Sequence, residues 1–142
     1  MTPDQLAQAC ADAMWREDRA SQYLGMTIER VAPGEATLAM TIGPQMVNGH
    51  KTCHGGYIFT LADSAFAFAC NAYNQRCVAQ HTSITFIRPA RQGDRLTATG
   101  REVSRTGKSG IYDISVTNQD GALIAEFRGH SRAIPGTILD DA

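Results

Sequence analysis

The hydrophobic pattern of the sequence is strongest between residues 55 and 73, where it predicts a long helix. Apolar side chains recur at intervals of three and four residues and form one broad face, made of Ile58, Leu61, Ala62, Ala65, Phe66 and Ala69. A narrower stripe of small or polar residues consists of Thr60, Asp63, Ser64, Ala67 and Asn71. Asp63 is the only charged residue between Gly55 and Gln75. The pattern therefore indicates a largely buried helix that carries one carboxylate.

A second helical pattern covers about residues 3–19. Thr2 is expected to cap this helix and Pro3 to be its first residue, because proline fits the first helical turn. The residues expected to face inward are Leu6, Ala9, Cys10, Ala13 and Met14. This N-terminal helix should cover part of a sheet or the mouth of a site.

The remaining segments have the alternating pattern of β-strands separated by turns. Residues 26–31 and 36–42 flank Pro33-Gly34 and predict a hairpin, and further strands are predicted at about residues 77–88, 94–105, 109–118 and 122–134. Because the connections are short, we expect successive strands to be antiparallel neighbours. A long apolar helix beside a curved antiparallel sheet is an α+β plan, and 142 residues suit one domain spanning residues 1–142.

The start of the predicted central helix offers the most suggestive chemistry. A polar loop, residues 43–54, brings Asn48 and His54 to a helix start at Gly55. The first amides of a helix have no partner within the helix and sit at the positive end of its dipole, so the Gly55 amide can bind an oxygen that becomes negative during a reaction. Asp63, a carboxylate among apolar neighbours, is a candidate base or nucleophile.

Gly55 and Asp63 cannot hold the same reacting group within one chain. They are eight residues apart, which is about 12 Å along a helix axis. If both act on one substrate, Asp63 must come from the equivalent helix of a second subunit, packed antiparallel across a two-fold axis. The sequence thus predicts a dimer with two shared sites. The alternative is an ordinary amphipathic helix whose Asp63 faces water or bonds a neighbouring loop.

Other constellations have less support. His50, Cys53 and His54 lie within five residues, but a metal site needs further ligands, so we expect no metal. Adjacent residues such as Cys53 and His54 seldom direct their side chains at one another, which argues against a nucleophile–base pair there. Residues 107–110 lack the spacing of a phosphate-binding loop and precede a strand, as in a hairpin turn.

Composition excludes some classes of function. A net charge of -1 provides no basic excess for general binding to nucleic acids or anionic membranes, and no segment approaches the apolar length of a membrane span. The N-terminus has no basic-then-apolar leader, and the four cysteines show no CxxC spacing. We therefore expect a cytoplasmic protein with reduced thiols, without a nucleic-acid or membrane partner.

The residues around the helix start carry a resemblance to a known family. Asn48-Gly49-His50, then Cys53-His54-Gly55-Gly56, then Leu61-Ala62-Asp63 followed by Ala65-Phe66-Ala67 resemble the signature of hotdog-fold acyl-CoA thioesterases, and the similarity is greatest to the phenylacetyl-CoA thioesterases of bacterial phenylacetate degradation. The likeness extends to residues 86–89, 110–114 and 127–129 and covers most of the chain.

This resemblance implies a hotdog fold, in which the curved sheet wraps around the central helix, here with an extra N-terminal helix. It implies hydrolysis of phenylacetyl-CoA or a ring-hydroxylated relative by Asp63, Gly55, Asn48 and His54. Coenzyme A is then part of the substrate, and no separate cofactor is needed. The family's habit is a homotetramer made of two dimers. A hotdog dehydratase acting on hydroxyacyl thioesters and a non-catalytic acyl-CoA sensor are the alternatives.

Overall fold

The computed structural model describes residues 1–140. Along the chain these residues form α1 (Pro3–Glu17), α2 (Arg19–Tyr23), β1 (Thr27–Ala32), β2 (Glu35–Thr41), a short 3-10 helix (Pro44–Met46), α3 (Gly55–Cys70), β3 (Cys77–Phe86), β4 (Arg95–Thr106), β5 (Ser109–Thr117) and β6 (Leu123–Ala133). The strands form one antiparallel sheet in the order β1-β2-β4-β5-β6-β3. Each of these strands lies within a few residues of its predicted position.

The neighbour of β3 differs from the sequence-based expectation. β3 pairs with β6, from Cys77↔Ala133 to Phe86↔Ala125, and so lies three strands away from β4. Three strand spacings amount to about 14 Å, which the eight residues 87–94 are long enough to span. The segment crosses near the start of α3, where the Cys53 amide donates to the Ala90 carbonyl at 2.7 Å. A short connection therefore did not imply pairing here.

The central helix α3 organises the sheet. It packs against all six strands, which a helix about 10 Å wide achieves only if the sheet curves around it. The approach is close at Gly129 in β6, where an added Cβ would lie 2.8 Å from the Phe66 ring. The buried residues of α3 are Ile58, Leu61, Ala62, Ser64, Ala65, Phe66, Phe68, Ala69 and Cys70.

α3 ends at Cys70, three residues before the predicted end at 73. Asn71 ends it: its buried side-chain amide donates to the Ala67 carbonyl at 2.9 Å and to the Cys77 carbonyl at 3.3 Å. Its side-chain oxygen accepts from the Cys77 amide at 2.8 Å. One side chain thus fixes both the end of α3 and the start of β3.

The N-terminal region contains two helices where the sequence predicted one. Thr2 caps α1 and Pro3 is its first residue, as expected, but α1 ends at Glu17 and Asp18 then caps the short helix α2. The buried residues of α1 are Ala7, Cys10 and Ala11; of the residues predicted to face inward, Cys10 is buried, and Leu6, Ala9, Ala13 and Met14 are partly buried. Among residues 1–140, none of the α-helices has both the length and the apolar character needed to cross a bilayer.

The two edges of the sheet are protected differently. β1 has six residues, carries Glu29 and Arg30, and has α1 packed against it. β3 has ten residues and no Asp, Glu, Lys or Arg, and its Val78 and Phe86 side chains are 44% and 51% exposed. Long edge strands without charges are favourable places for another strand to pair.

Candidate active site

The loop before α3 is built around the side chain of Asn48. Its carbonyl oxygen accepts from the His50 amide at 2.9 Å, from the Thr52 amide at 3.2 Å and from the Thr52 hydroxyl at 3.1 Å. The Asn48 side chain is exposed, and its amide group donates no hydrogen bond to residues 1–140. The oxygen of Asn48 therefore shapes the loop, and its NH₂ group remains available.

His54 is the residue that precedes α3, and its backbone fixes the helix start. The His54 amide donates to the Met46 carbonyl at 2.8 Å, and the His54 carbonyl accepts from the Tyr57 amide at 3.0 Å. Its imidazole makes no capping hydrogen bond to the helix. The backbone alone therefore sets the turn at the start of α3, and the imidazole stays exposed.

Gly55 is the first residue of α3. Within residues 1–140 its amide has no hydrogen-bond acceptor, so it keeps the open donor that the sequence predicted. An added Cβ at Gly55 would lie 2.9 Å from Cζ of Phe86. At Gly56 the nearest atom would be Nδ1 of His54, at 3.9 Å. The aromatic ring thus approaches the first glycine closely and leaves the second with ordinary space.

A cavity of about 420 Å³ opens beside the Gly55 end of α3. It lies between the loop, the first turn of the helix and the segment that leaves β3. Its lining residues are Thr52, Cys53, Gly55, Ile58, Phe86, Ile87, Arg88, Pro89 and Ala90. Most of these residues are apolar, and the N-terminus of α3 forms one wall.

Asp63 lies in the third turn of α3 and is partly buried. Burial raises the pKa of its carboxyl above the usual range, and the negative charge of Asp18 raises it further. The carboxylate accepts no hydrogen bond from residues 1–140, yet no side-chain oxygen in this part of the chain is both buried and without a partner. The Asp63 oxygens are therefore reachable from solvent. A carboxylate in this state is a stronger base than an exposed aspartate.

The fold brings Asn48, His54 and Gly55 together and leaves Asp63 apart. Asn48 and His54 belong to the loop that leads into Gly55, whereas Asp63 follows eight residues later on the same helix, about 12 Å along its axis. One chain therefore presents two separate parts of a site. The first offers a hydrogen-bond donor, and the second offers a base.

The alternative chemistry of the loop finds no support in the side chains. Burial raises the pKa of the Cys53 thiol to about 11, so Cys53 is a poor nucleophile near neutral pH. In the described part of the chain, no group of three or more His, Cys, Asp or Glu side chains is placed to hold a metal ion.

Two contacts at the site were not predicted from sequence. The first is the Phe86 ring over Gly55; its only sequence signal was an aromatic residue at the end of a predicted strand. The second is the charge of Asp18 near Asp63, a residue 45 positions further along the sequence. An aspartate just before a short helix signals a cap, but not its neighbour across the fold.

Comparisons with known proteins agree with this architecture. The sequence model of the thioesterase superfamily matches residues 50–125. The chain is 44% identical to the acyl-coenzyme A thioesterase PaaI of Escherichia coli (strain K12) over 132 residues, which cover 93% of this chain and 94% of that protein.

Solved structures give the same result. The E. coli PaaI protein from the phenylacetic acid degradation operon superimposes with a TM-score of 0.95 at 42% identity, covering 96% of this chain and 99% of that one. The TT0310 protein from Thermus thermophilus superimposes with a TM-score of 0.80 at 34% identity, covering 83% of this chain and 99% of that one. The predicted hotdog fold is confirmed.

Proposed function

This chain belongs to the thioesterase superfamily, and we propose that it hydrolyses acyl-coenzyme A thioesters in active sites shared between two subunits. The observation that carries the proposal is the open Gly55 amide at the N-terminus of α3, beside a cavity of about 420 Å³. A donor in this position can stabilise the oxygen of a thioester carbonyl as it becomes negative.

The reaction needs one donor and one base. The Gly55 amide polarises the thioester carbonyl, and the Asp63 carboxylate either attacks the carbonyl carbon or takes a proton from the attacking water. In the first route the carbon–sulfur bond breaks as a mixed anhydride forms on Asp63, and water then hydrolyses the anhydride to the free acid and restores the carboxylate. In the water route, the tetrahedral intermediate collapses by breaking the carbon–sulfur bond, which releases the coenzyme A thiolate and the free acid. A thiolate is a good leaving group, so a second acid is not required. The elevated pKa of Asp63 suits a base that must accept a proton during this step.

The separation of Gly55 and Asp63 requires a second copy of the chain. The two residues are about 12 Å apart along α3, so each site combines Gly55 of one subunit with the Asp63 equivalent of the other. The edge strand β3 supports this assembly, because it is long, free of formal charges and exposed at Val78. Pairing of two β3 strands about a two-fold axis makes a homodimer, and a homotetramer follows if two such dimers associate.

Asn48 and His54 order the loop and the substrate. Because the Asn48 oxygen is already bonded to the loop, its free NH₂ group is the part that donates to the acyl carbonyl or to the nucleophilic water. The His54 backbone holds the turn that presents Gly55, and its exposed imidazole borders the same helix start.

The acyl group is phenylacetyl or a ring-hydroxylated phenylacetyl. The similarity to E. coli PaaI, at 44% identity across nearly the whole chain, supports this choice. The Phe86 ring and Ile58 line the cavity next to Gly55, and such side chains are suited to contact an aromatic acyl group.

The test is thiol release from phenylacetyl-CoA by the purified protein, with a straight-chain acyl-CoA and an enoyl-CoA as comparison substrates. We expect the phenylacetyl thioester to be hydrolysed best, whereas hydration of the enoyl-CoA would indicate a dehydratase and binding without turnover would indicate a sensor. Asp63→Asn should lower kcat by at least about a thousandfold, because the base is lost while the shape is kept. Asp120→Asn, in an exposed turn, is the charge-matched control. Near-normal hydrolysis by Asp63→Asn would remove Asp63 from the mechanism.

A further inference from the structure

A chain of three polar side chains connects the N-terminal helices to the centre of α3. The Ser64 hydroxyl lies 2.7 Å from the Ser21 hydroxyl, which lies 2.7 Å from Oδ2 of Asp18. Ser21 is 1% exposed and Ser64 is also buried. Ser64 directly follows Asp63 in the sequence, so the chain ends next to the proposed base.

The direction of these hydrogen bonds follows from the chemistry of the groups. Both oxygens of Asp18 accept, Oδ1 from the Ser21 amide at 3.0 Å and Oδ2 from the Ser21 hydroxyl, which is the pattern of an ionised carboxylate. Because Ser21 gives its one hydroxyl proton to Asp18, the Ser64 hydroxyl must donate to Ser21. The network therefore directs the Ser21 proton to the Asp18 carboxylate and the Ser64 proton to Ser21.

Asp18 is the charged neighbour of Asp63 within residues 1–140. Burial is the larger cause of the raised pKa of Asp63, and the Asp18 charge is the other. On α3 itself, the charge of Asp63 in turn contributes to the raised pKa of the Cys70 thiol. The electrostatic environment of the base in one chain is therefore set by its burial and by Asp18.

Capping of α2 alone does not require this arrangement. A cap needs one side-chain oxygen on the Ser21 amide, and serine or asparagine would serve as well as aspartate. The second carboxylate oxygen and the two buried hydroxyls go beyond that need.

We propose that Asp18 is a positioning residue of the thioesterase site: the hydrogen-bonded chain from Asp18 through Ser21 to Ser64 holds its carboxylate against α3, where it adds a second negative charge near the proposed base. The inference rests on the proposed function of Asp63. Asp18 lies outside residues 50–125, the segment that the superfamily model matches. Under this proposal, a residue of the N-terminal region therefore contributes to the chemistry as well as to the fold. In the proposed dimer, the positive end of the partner's α3 favours the charged form of Asp63, whereas Asp18 disfavours it. The effect of the partner's helix is the same in every variant below, so it does not alter the differences between variants.

The test compares Asp18→Asn and Asp18→Ser with Asp12→Asn in the assembled enzyme. The first two keep a capping oxygen and remove the charge, and the third removes one charge from an exposed position on α1. The readouts are the ¹³C NMR titration of the Asp63 carboxyl and the pH profile of kcat/KM for phenylacetyl-CoA.

In both Asp18 variants we expect the midpoint of the Asp63 titration, and the acidic limb of the rate profile, to move down by roughly half a pH unit or more. Above that limb, kcat/KM should fall by about twofold to fivefold, because a weaker base accepts the proton less readily. Asp12→Asn should change neither readout.

Three outcomes would overturn the inference: an unchanged Asp63 titration in both Asp18 variants, an equal shift in Asp12→Asn, or failure of both Asp18 variants to fold, which would assign Asp18 to folding alone. The NMR titration does not depend on turnover. If Asp63→Asn retained full hydrolysis while the titration still shifted, the proposed mechanism would fail and the electrostatic effect of Asp18 would stand.

Discussion

The two proposed site positions on α3, Gly55 and Asp63, differ in what each lacks. Gly55 begins the helix with an amide that has no acceptor in the described part of the chain, and the cavity beside it contains no carboxylate. Asp63 has a carboxylate that accepts no hydrogen bond there, and Asp18 adds more negative charge. The Gly55 amide can face the Asp63 carboxylate only if the α3 helices of two subunits pack together.

Different elements of the fold surround Gly55 and Asp63. The Gly55 end is formed by the loop and by the segment that crosses from β3 to β4, so it depends on the β3 edge. The Asp63 region is formed by α1, α2 and the middle of α3, whose Ser64 bonds Ser21. The N-terminal helices therefore border the proposed base, and the β3 edge borders the proposed donor.

Mixing two inactive variants tests this complementarity with the largest expected effect. Asp63→Asn and Gly55→Trp should each be nearly inactive alone. In a mixed dimer, one site carries both changes and the other carries neither, so an equal mixture should recover about a quarter of wild-type activity, a gain above a hundredfold. The measurement is thiol release after co-refolding, with heterodimers quantified by native mass spectrometry. Confirmed heterodimers without recovery would contradict a shared site.

Positive charges introduced on the β3 edge should separate Gly55 of one subunit from Asp63 of the other. Val78→Lys with Ser83→Lys places four positive charges at a β3–β3 interface, which should dissociate the dimer and lower activity at least about tenfold. The matched control is Val103→Lys with Ser104→Lys on β4, since Val103 is 45% exposed, close to the 44% of Val78. Light scattering and thiol release provide the readouts. Dissociation by the β4 pair alone would move the dimer interface away from β3.

The sequence predicted the parts of the fold that depend on local pattern. The start of α3 at Gly55 and the existence of all six strands follow from apolar periodicity and turn residues. The pairing of β3 with β6 did not follow, because the length of a connection limits reach and does not identify a neighbour. The end of α3 was also missed, since it depends on contacts of the Asn71 side chain with Cys77.

Some contacts of the candidate site could also be predicted from the local sequence, and others could not. Gly55, Asn48 and His54 form one continuous segment, so their proximity was visible in the sequence. The contact of Phe86 with Gly55 and the tie between Ser21 and Ser64 join residues 31 and 43 positions apart. Such contacts are set by how elements dock, and no local pattern encodes them.

Adding only a methyl group at Gly55 tests the role of its amide with a smaller change than Gly55→Trp. Gly55→Ala places a Cβ 2.9 Å from Phe86, whereas Gly56→Ala meets nothing closer than 3.9 Å. Displacement of the ring and crowding of the substrate carbonyl should lower kcat/KM about tenfold in Gly55→Ala, with little change in Gly56→Ala. Steady-state kinetics with phenylacetyl-CoA measure both. Equal losses in the two variants would show that the helix start as a whole, and not the approach to Gly55, limits the reaction.

The smallest effect concerns stability and its dependence on pH. Because the folded state raises the pKa of Asp63, this carboxyl contributes stability when protonated, and that contribution is lost as the pH rises from its unfolded pKa through its folded value. At pH 7 Asp63→Asn should therefore be more stable than wild type, by about 1 kcal/mol or less because solvent screens a partly exposed carboxyl.

The gain should be smaller at pH 4 than at pH 7, because the wild-type carboxyl takes up its proton as the pH falls through its raised folded pKa. It should also be larger in the background of the β3 lysine variant than in the dimer, because the partner's Gly55 amide stabilises the carboxylate only in the assembled site. Urea unfolding at pH 4 and pH 7, at fixed protein concentration and with Asp12→Asn as control, measures both differences. If Asp63→Asn gained as much stability in the dimer as in the separated subunits, the amide and the carboxylate would not face each other.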